Sequence, residues 1–382
     1  LTWIATKPSA LPRFLALYAA TFAAFGVASP FLAAFLAVRG LGPEAIGLVL
    51  AAGTATRLIA GPVGGRIADR LGAPRSVLVA CTAASAGVAF AYLPAAAPWA
   101  FLLISITHAA TLAPITPIAD ALALGTVTVR LRYGWIRGAG SATFILGTLL
   151  SGQAVAHFGL SAIIWLNGIL LGLAAACARA VPDLLAPIRR THTEGLRSLL
   201  RLAPFRRLML VAALIQGSHA FHDAFVVIHW RSLGIGDGTI GALWSESVAG
   251  EVVVFLLFGR SLLDRLGPAG ASILAAAGGI LRWAVLAQTT SVAASALVEP
   301  LHGLTFALQH LACMRLLAAI VPPHLAATAQ AFYGTVAVGL ASALLTLASG
   351  PLYARAGAGG FWVMAGLCAA AVPLAWGLKP DR

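Results

Sequence analysis

The chain has 382 residues, 60% apolar and 10% charged, with a mean hydropathy of +0.93, whereas soluble domains run at about 45–50% apolar and about 25% charged. A soluble enzyme is thereby excluded; the 25 Lys+Arg against 12 Asp+Glu, net +13, would point to nucleic acid only in a soluble protein. At about 20 apolar residues per membrane helix the length fits about twelve spans, and the apolar runs are too long and continuous for the roughly 10-residue alternating strands of a membrane barrel.

Spans are predicted at 12–38, 43–64, 76–95, 97–123, 136–157 and 160–180. The first run is too long for a cleavable signal and leads directly into another span, so it is expected to direct insertion itself. It carries Tyr18, Phe22 and Phe25, aromatic side chains able to stack on a ring. Span two carries Arg57, and the turn after it reads Gly65-Arg66-Ile67-Ala68-Asp69-Arg70-Leu71-Gly72, with Arg75 beyond. Span four carries His108 and Asp120 and is interrupted by Pro114 and Pro117. Arg57 and Asp120 both fall toward the cytoplasmic part of their spans. Arg57 either pairs with Asp120 or offers its two-pronged guanidinium to an anionic substrate.

Residues 181–205, with Pro182, Pro187 and Pro204 and little hydrophobic continuity, form the longest polar connection. They divide the chain into an N-terminal bundle (1–180), a cytoplasmic linker (181–205) and a C-terminal bundle (206–382). The second half has spans predicted at 206–230, 238–259, 270–289, 291–317, 325–350 and 357–378. After its second span, Gly259-Arg260-Ser261-Leu262-Leu263-Asp264-Arg265-Leu266-Gly267 repeats the earlier turn loosely. Two parallel six-helix repeats are the architecture of a rocker-type secondary transporter. With the N-terminus inside, 20 of the 25 basic residues fall on the cytoplasmic side, which explains the net charge and places both termini in the cytoplasm.

Ionisable groups inside spans are expensive and point to function. In span seven His219, His222 and Asp223 are spaced i, i+3 and i+4 and share one helical face. Span eight carries Glu246 and Glu251, span nine Arg282, and span ten Glu299, His302, Phe306 and His310. These acids cannot all ionise without partners, and a carboxylate that loses its cation takes up a proton. The expected arrangement has Glu251 and Glu299 competing for Arg282, with His302 one turn beyond Glu299 relaying or stabilising the proton, and Asp223 counted with them in proton coupling. His219, His222 and Phe306, with Phe25, Arg57 and Asp120, are the expected substrate contacts. His108, His229 and His310 read as hydrogen-bonded residues between helices. Cys81, Cys177, Cys313 and Cys368 sit singly in apolar stretches and read as core residues. No metal-ligand spacing such as His-Glu-x-x-His occurs, so neither a metal nor an intramembrane enzyme is expected.

Gly65, Asp69, Arg70, Gly72 and Arg75 match in order the Gly-x-x-x-Asp-Arg-x-Gly-x-x-Arg turn of the major facilitator superfamily, which the sequence resembles. Asp264 and Arg265 hold the corresponding place in the second repeat. Further segments resemble the 3-phenylpropionic acid transporter group within that superfamily, related to the lactose permease and nucleoside:proton symporters: Asp120-Ala121-Leu122-Ala123-Leu124, Tyr133-Gly134-Trp135-Ile136-Arg137, Ser218-His219-Ala220-Phe221, Arg282-Trp283, and Leu301-His302-Gly303-Leu304-Thr305-Phe306. The resemblance implies an all-α, twelve-helix membrane protein of two pseudo-symmetric bundles. It also implies proton symport of a small organic substrate into the cell, with acids in spans eight and ten and the arginine of span nine handling the proton. Trp135 stands where the group usually has Arg, and His222-Asp223 stand where it commonly has Tyr-Tyr. An aromatic carboxylate of phenylpropionate type is the first expectation; a sugar or nucleoside symporter and a proton/drug antiporter are the alternatives. The proton gradient is the expected energy source, with no cofactor. The expected setting is the bacterial inner membrane, as a monomer in contact with lipid and without nucleic acid.

Overall fold

Prolines open several of the apolar runs and glycines close them, and between these marks the chain is helical. The structure, a computed structural model, describes residues 10–126, 130–183, 196–322 and 325–378. In order, the helices are α1 (Leu11–Ala28), α2 (Leu32–Val38), α3 (Pro43–Leu71), α4 (Pro74–Ala91), α5 (Pro98–Leu112), α6 (Ile115–Thr126), α7 (Arg130–Phe158) and α8 (Ala162–Ala180). The second half has α9 (Leu196–Arg201), α10 (Ala203–Gly217), α11 (His219–Ser232), α12 (Asp237–Val253), α13 (Gly259–Leu286), α14 (Val292–Val298), α15 (Gln309–Ile320), α16 (Ala326–Phe332), α17 (Ala341–Ala356) and α18 (Gly360–Trp376). No strand occurs among the described residues.

Ten helical stretches among the described residues are long and apolar enough to cross a membrane, but Asp237–Leu286 and Thr328–Trp376 run to 50 and 49 residues, more than twice the roughly 20 that one crossing needs. Each contains a reversal, at Gly267 (φ +66°) and at Gly357 (φ +50°), so counting each as two gives the twelve predicted spans. Gly72, which closes the first copy of the repeated turn, also has a left-handed backbone (φ +59°). The two copies therefore end their helices in the same way, in a conformation that glycine adopts without penalty. Many of the largest apolar side chains point outward, Phe158 at 81%, Leu297 at 80% and Leu256 at 78% exposure, as helices facing lipid require.

The chain divides into two compact units, one of Leu1–Ser29 with Thr56–Ile188, the other of Pro30–Ala55 with Arg189–Arg382. Residues 30–55, predicted with the first bundle, thus group with the second unit. Of the predicted linker, residues 184–195 lie outside the described residues, as do 1–9 and 379–382 at the ends.

In the first unit α1 packs on α7 and α8. Gly26 and Gly147 let α1 and α7 approach until a Cβ on either would overlap the other backbone. Thr148 Oγ1 donates to the Gly26 carbonyl at 3.1 Å and Asn167 Nδ2 to that of Ala24 at 2.9 Å, the kind of polar bond that ties helices together where water is absent.

In the second unit, span ten is irregular: α14 gives way to a 3₁₀ turn at Glu299–Leu301 and then to a π-helical stretch at Gly303–Leu308 before α15. Pro300 has no N–H with which to continue the helix, and π-bulges concentrate at functional sites. Gly303 lies so close to Gly250 of α12 that a Cβ on it would overlap the Gly250 carbonyl oxygen. This crossing brings the two acid-bearing spans together. Gly303→Val is therefore expected to destabilise the fold by about 1–3 kcal/mol through overpacking, read as a lower thermal-denaturation midpoint in detergent; an unchanged midpoint would mean that the crossing can open.

Candidate functional site

Span seven breaks at Ser218, between α10 and α11. The Ser218 hydroxyl accepts from Trp283 Nε1 at 2.9 Å and donates to the Ile215 carbonyl at 2.7 Å. Just beyond this break, α11 presents His219, His222 and Asp223 to α13 and the irregular part of span ten. At the centre lie Arg282 and Glu299, both fully buried, joined by a 2.6 Å bond from Arg282 Nη2 to Glu299 Oε2. Glu299 Oε1 faces His222 Nε2 at 3.2 Å, and His222 Nδ1 faces Asp223 Oδ1 at 3.1 Å. Arg282 Nη2 also donates to Ser247 Oγ at 3.3 Å, and Arg282 Nη1 lies 3.1 Å from His302 Nδ1. His302 Nε2 is 3.6 Å from Glu251 Oε2. The guanidinium stacks on the Trp283 ring, 4.5 Å from its centroid.

His219 Nε2 meets Thr305 Oγ1 at 2.8 Å, and its ring lies 4.8 Å from that of His302. Phe306 stacks on His302 at 5.5 Å. The structure thus gathers Asp223, Glu251, Arg282, Glu299 and His302 with His219, His222 and Phe306 in one polar core within the second unit. The arrangement differs from the expected competition for Arg282: Glu299 forms the ion pair with the arginine, and Glu251 lies against His302. His302 contacts Arg282 and Glu251 rather than bridging to Glu299. It is His222, from another helix, that meets Glu299.

In the first unit, Asp120 does not pair with Arg57. The Tyr18 hydroxyl donates to Asp120 Oδ1, and Arg137 Nη1 lies 3.7 Å from the same oxygen. Arg137 also lies over Phe22 at 5.4 Å, and Phe22 sits between Tyr18 and Phe25 in a run of ring contacts. The sequence reading missed Arg137 as this partner because it counts equally well as a cytoplasmic flanking charge; the signal was that Asp120 needs a cation and α7 supplies one. Arg57 is exposed and has no ion pair among the described residues, with Tyr92 and His108 as its polar neighbours. His108 does not make the expected bond between helices: its Nε2 is buried without a hydrogen-bond partner among the described residues, and its ring stands edge-on to Tyr92 at 6.1 Å. His310 does reach across, Nδ1 lying 3.3 Å from the Tyr333 hydroxyl.

The repeated turns are engaged differently. Asp69 and Arg70 are exposed, with no ion pair to either among the described residues, whereas Arg75 is tied to Asp183 by a 3.6 Å ion pair and a 3.2 Å bond from its backbone N–H. Asp264 accepts a bond from Arg315 of α15 at 2.5 Å. Arg265 and Gly65 make no polar side-chain contact of this kind among the described residues.

A multi-pass helical bundle with buried charges at the breaks in its spans defines a membrane transporter of the major facilitator type. Residues 12–364 match the MFS_1 like family, and the chain belongs to that family. It is 33% identical over 361 residues, 92% of this chain and 94% of the relative, to a probable 3-phenylpropionic acid transporter of Escherichia coli (strain K12). Among solved structures it is similar to the nucleoside transporter NupG, with TM-score 0.81, 17% identity and coverage of 97% of this chain and 98% of that one. It is also similar to an auto-inhibited POT family peptide transporter, with TM-score 0.75, 15% identity and coverage of 97% and 96%. These likenesses establish the major facilitator fold.

Proposed function

We propose that this transporter imports a small aromatic carboxylate of phenylpropionate type together with protons, by alternating access across the bacterial inner membrane, as a monomer with both termini cytoplasmic. The observation that carries the reading is the fully buried Arg282–Glu299 pair, with Glu251 and Asp223 each against an imidazole. Three carboxylates thus lie in one core whose guanidinium is bonded to Glu299, so the charge balance of the core depends on how many protons it holds. Substrate and proton each drive the cycle through unequal affinity for its two end states. The substrate class rests on the 33% identical relative and on Arg57, a mid-span cation with no carboxylate of its own among the described residues. Asp69 and Arg70 are assigned to the conformational cycle, closing the cytoplasmic side in the outward-facing state.

The test is a proteoliposome assay recording internal pH while 3-phenylpropionate, sugars, nucleosides and cationic drugs are added outside. Acidification driven by 3-phenylpropionate is the expected result. No acidification, with gradient-driven loss of a preloaded compound, would turn the reading to export and assign the same acids to antiport. Arg57→Gln is expected to weaken equilibrium binding of 3-phenylpropionate by about tenfold or more, the worth of a charge-assisted hydrogen bond of roughly 1.5–3 kcal/mol. Binding of the neutral alcohol analogue should be unaffected; equal weakening of both would remove the carboxylate contact.

A further inference from the structure

His222 differs from the other two imidazoles of the polar core in what its nitrogens face. His302 Nδ1 lies 3.1 Å from Arg282 Nη1, a group that only donates, so that nitrogen must offer its lone pair and the ring carries its single proton on Nε2, toward Glu251. His219 meets a hydroxyl, which can donate or accept and fixes nothing. His222 has a carboxylate oxygen at each nitrogen, Asp223 Oδ1 at 3.1 Å and Glu299 Oε1 at 3.2 Å. Arg282 Nη2 also lies 3.2 Å from His222 Nε2, but its two hydrogens have acceptors in Glu299 Oε2 at 2.6 Å and Ser247 Oγ at 3.3 Å. Nε2 is therefore free to donate to Glu299.

Accessibility gives this contact a direction. The Glu299 side chain is 0% accessible and that of His222 4%, whereas Asp223 is 59% accessible. Apart from Arg282, which does not give up its proton, the one titratable group within hydrogen-bond distance of Glu299 among the described residues is His222. The other groups facing the ring are His219 on its own helix, His302 of span ten, and the uncharged Trp230, Trp244, Trp283 and Phe361.

We propose that Asp223 and His222 form the path by which Glu299 exchanges its proton with water, which refines the proton-coupled reading above and rests on it. A proton taken up by Asp223 passes to Nδ1 of His222 as Nε2 gives its own proton to Oε1 of Glu299. One O–H and one N–H bond break, one N–H and one O–H bond form, and the ring stays neutral with its proton moved from Nε2 to Nδ1. Glu299 loses its charge, and the freed lone pair on Nε2 already faces Arg282 Nη2 at 3.2 Å. The guanidinium thus finds a new acceptor in the step that neutralises its old one.

The experiment uses the full chain in proteoliposomes with 3-phenylpropionate as probe, and reads the ratio of substrate-driven proton entry to exchange of labelled 3-phenylpropionate. Asp223→Asn and His222→Gln are expected to lower that ratio by about a hundredfold or more, the usual worth of a positioned proton donor, and Asp223→Glu should restore it. A purely structural role would slow both processes together and leave the ratio at its wild-type value; that result in both variants overturns the path. Should His222→Gln fail to fold, Asp223→Asn, at the accessible edge of the core, carries the test alone. Acidification that persists in Asp223→Asn but is lost in Glu299→Gln overturns the path and leaves proton coupling standing. No acidification in the wild-type protein overturns both.

Discussion

Arg282→Gln is expected to destabilise the second unit by about 3–5 kcal/mol, the cost of removing one partner from a buried ion pair, and to abolish transport. Glu299 is fully buried and its strongest bond is the 2.6 Å link to this guanidinium, so truncation strands a carboxylate in the apolar interior. His302 Nδ1 and Ser247 lose a donor in the same change. The readouts are folded yield and the thermal midpoint in detergent. The double variant Arg282→Gln, Glu299→Gln should recover most of the lost stability without recovering transport, because it removes the stranded charge but not the need for one. A wild-type midpoint in the single variant would mean that the Glu299 carboxyl does not depend on Arg282 for its charge.

Glu299→Gln carries the second large effect. The amide oxygen can still accept from Arg282, so the helices stay joined, but the side chain no longer binds and releases a proton. Accumulation of 3-phenylpropionate against its gradient should fall to background while exchange of labelled for unlabelled substrate remains measurable. Glu251→Gln is expected to act in the same direction through His302, which it faces at 3.6 Å. Unchanged accumulation in both variants would reject a proton role for these acids.

How far the polar core was legible follows from what a helix reveals about itself. Arg282 and Glu299 stood out because each is costly in a span unless neutralised, and the spacing of His219, His222 and Asp223 placed them on one face. Helical periodicity gives the face but not the neighbour that meets it. Which acid reaches Arg282 depends on the approach of α12 to span ten, set by Gly250 and Gly303, and glycines are too common in membrane helices to mark such a crossing in advance. Depth in the membrane similarly put Arg57 and Asp120 at one level, but a shared level does not bring two side chains together around the axis, and Arg137 was better placed. Ser247 and Thr305 carried no signal, because hydroxyl side chains occur throughout apolar helices and usually bond to their own backbone, as Thr21 does to the Leu17 carbonyl. The twelve spans were legible as apolar lengths; of the turns that divide the two longest helical stretches, the one at Gly267 was marked by the repeated motif, whereas the one at Gly357 fell at the start of a predicted span.

The place of Arg282 and Glu299 along the chain bears on how the protein is made. Arg282 lies in α13 and Glu299 in the 3₁₀ turn directly after α14, only residues 287–291 separate the two helices, and the two side chains are 17 residues apart. The arginine reaches the bilayer as the next span is being synthesised, so the pair can close within a single helical hairpin and neither charge need face lipid alone. The bond from His222 to Glu299 joins residues 77 apart and must wait until that hairpin has come back against α11. Assembly would then proceed from ion pair to histidine bridge, and a nascent chain arrested before Glu299 would hold an arginine without its carboxylate, at the cost of an unpaired charge in the bilayer.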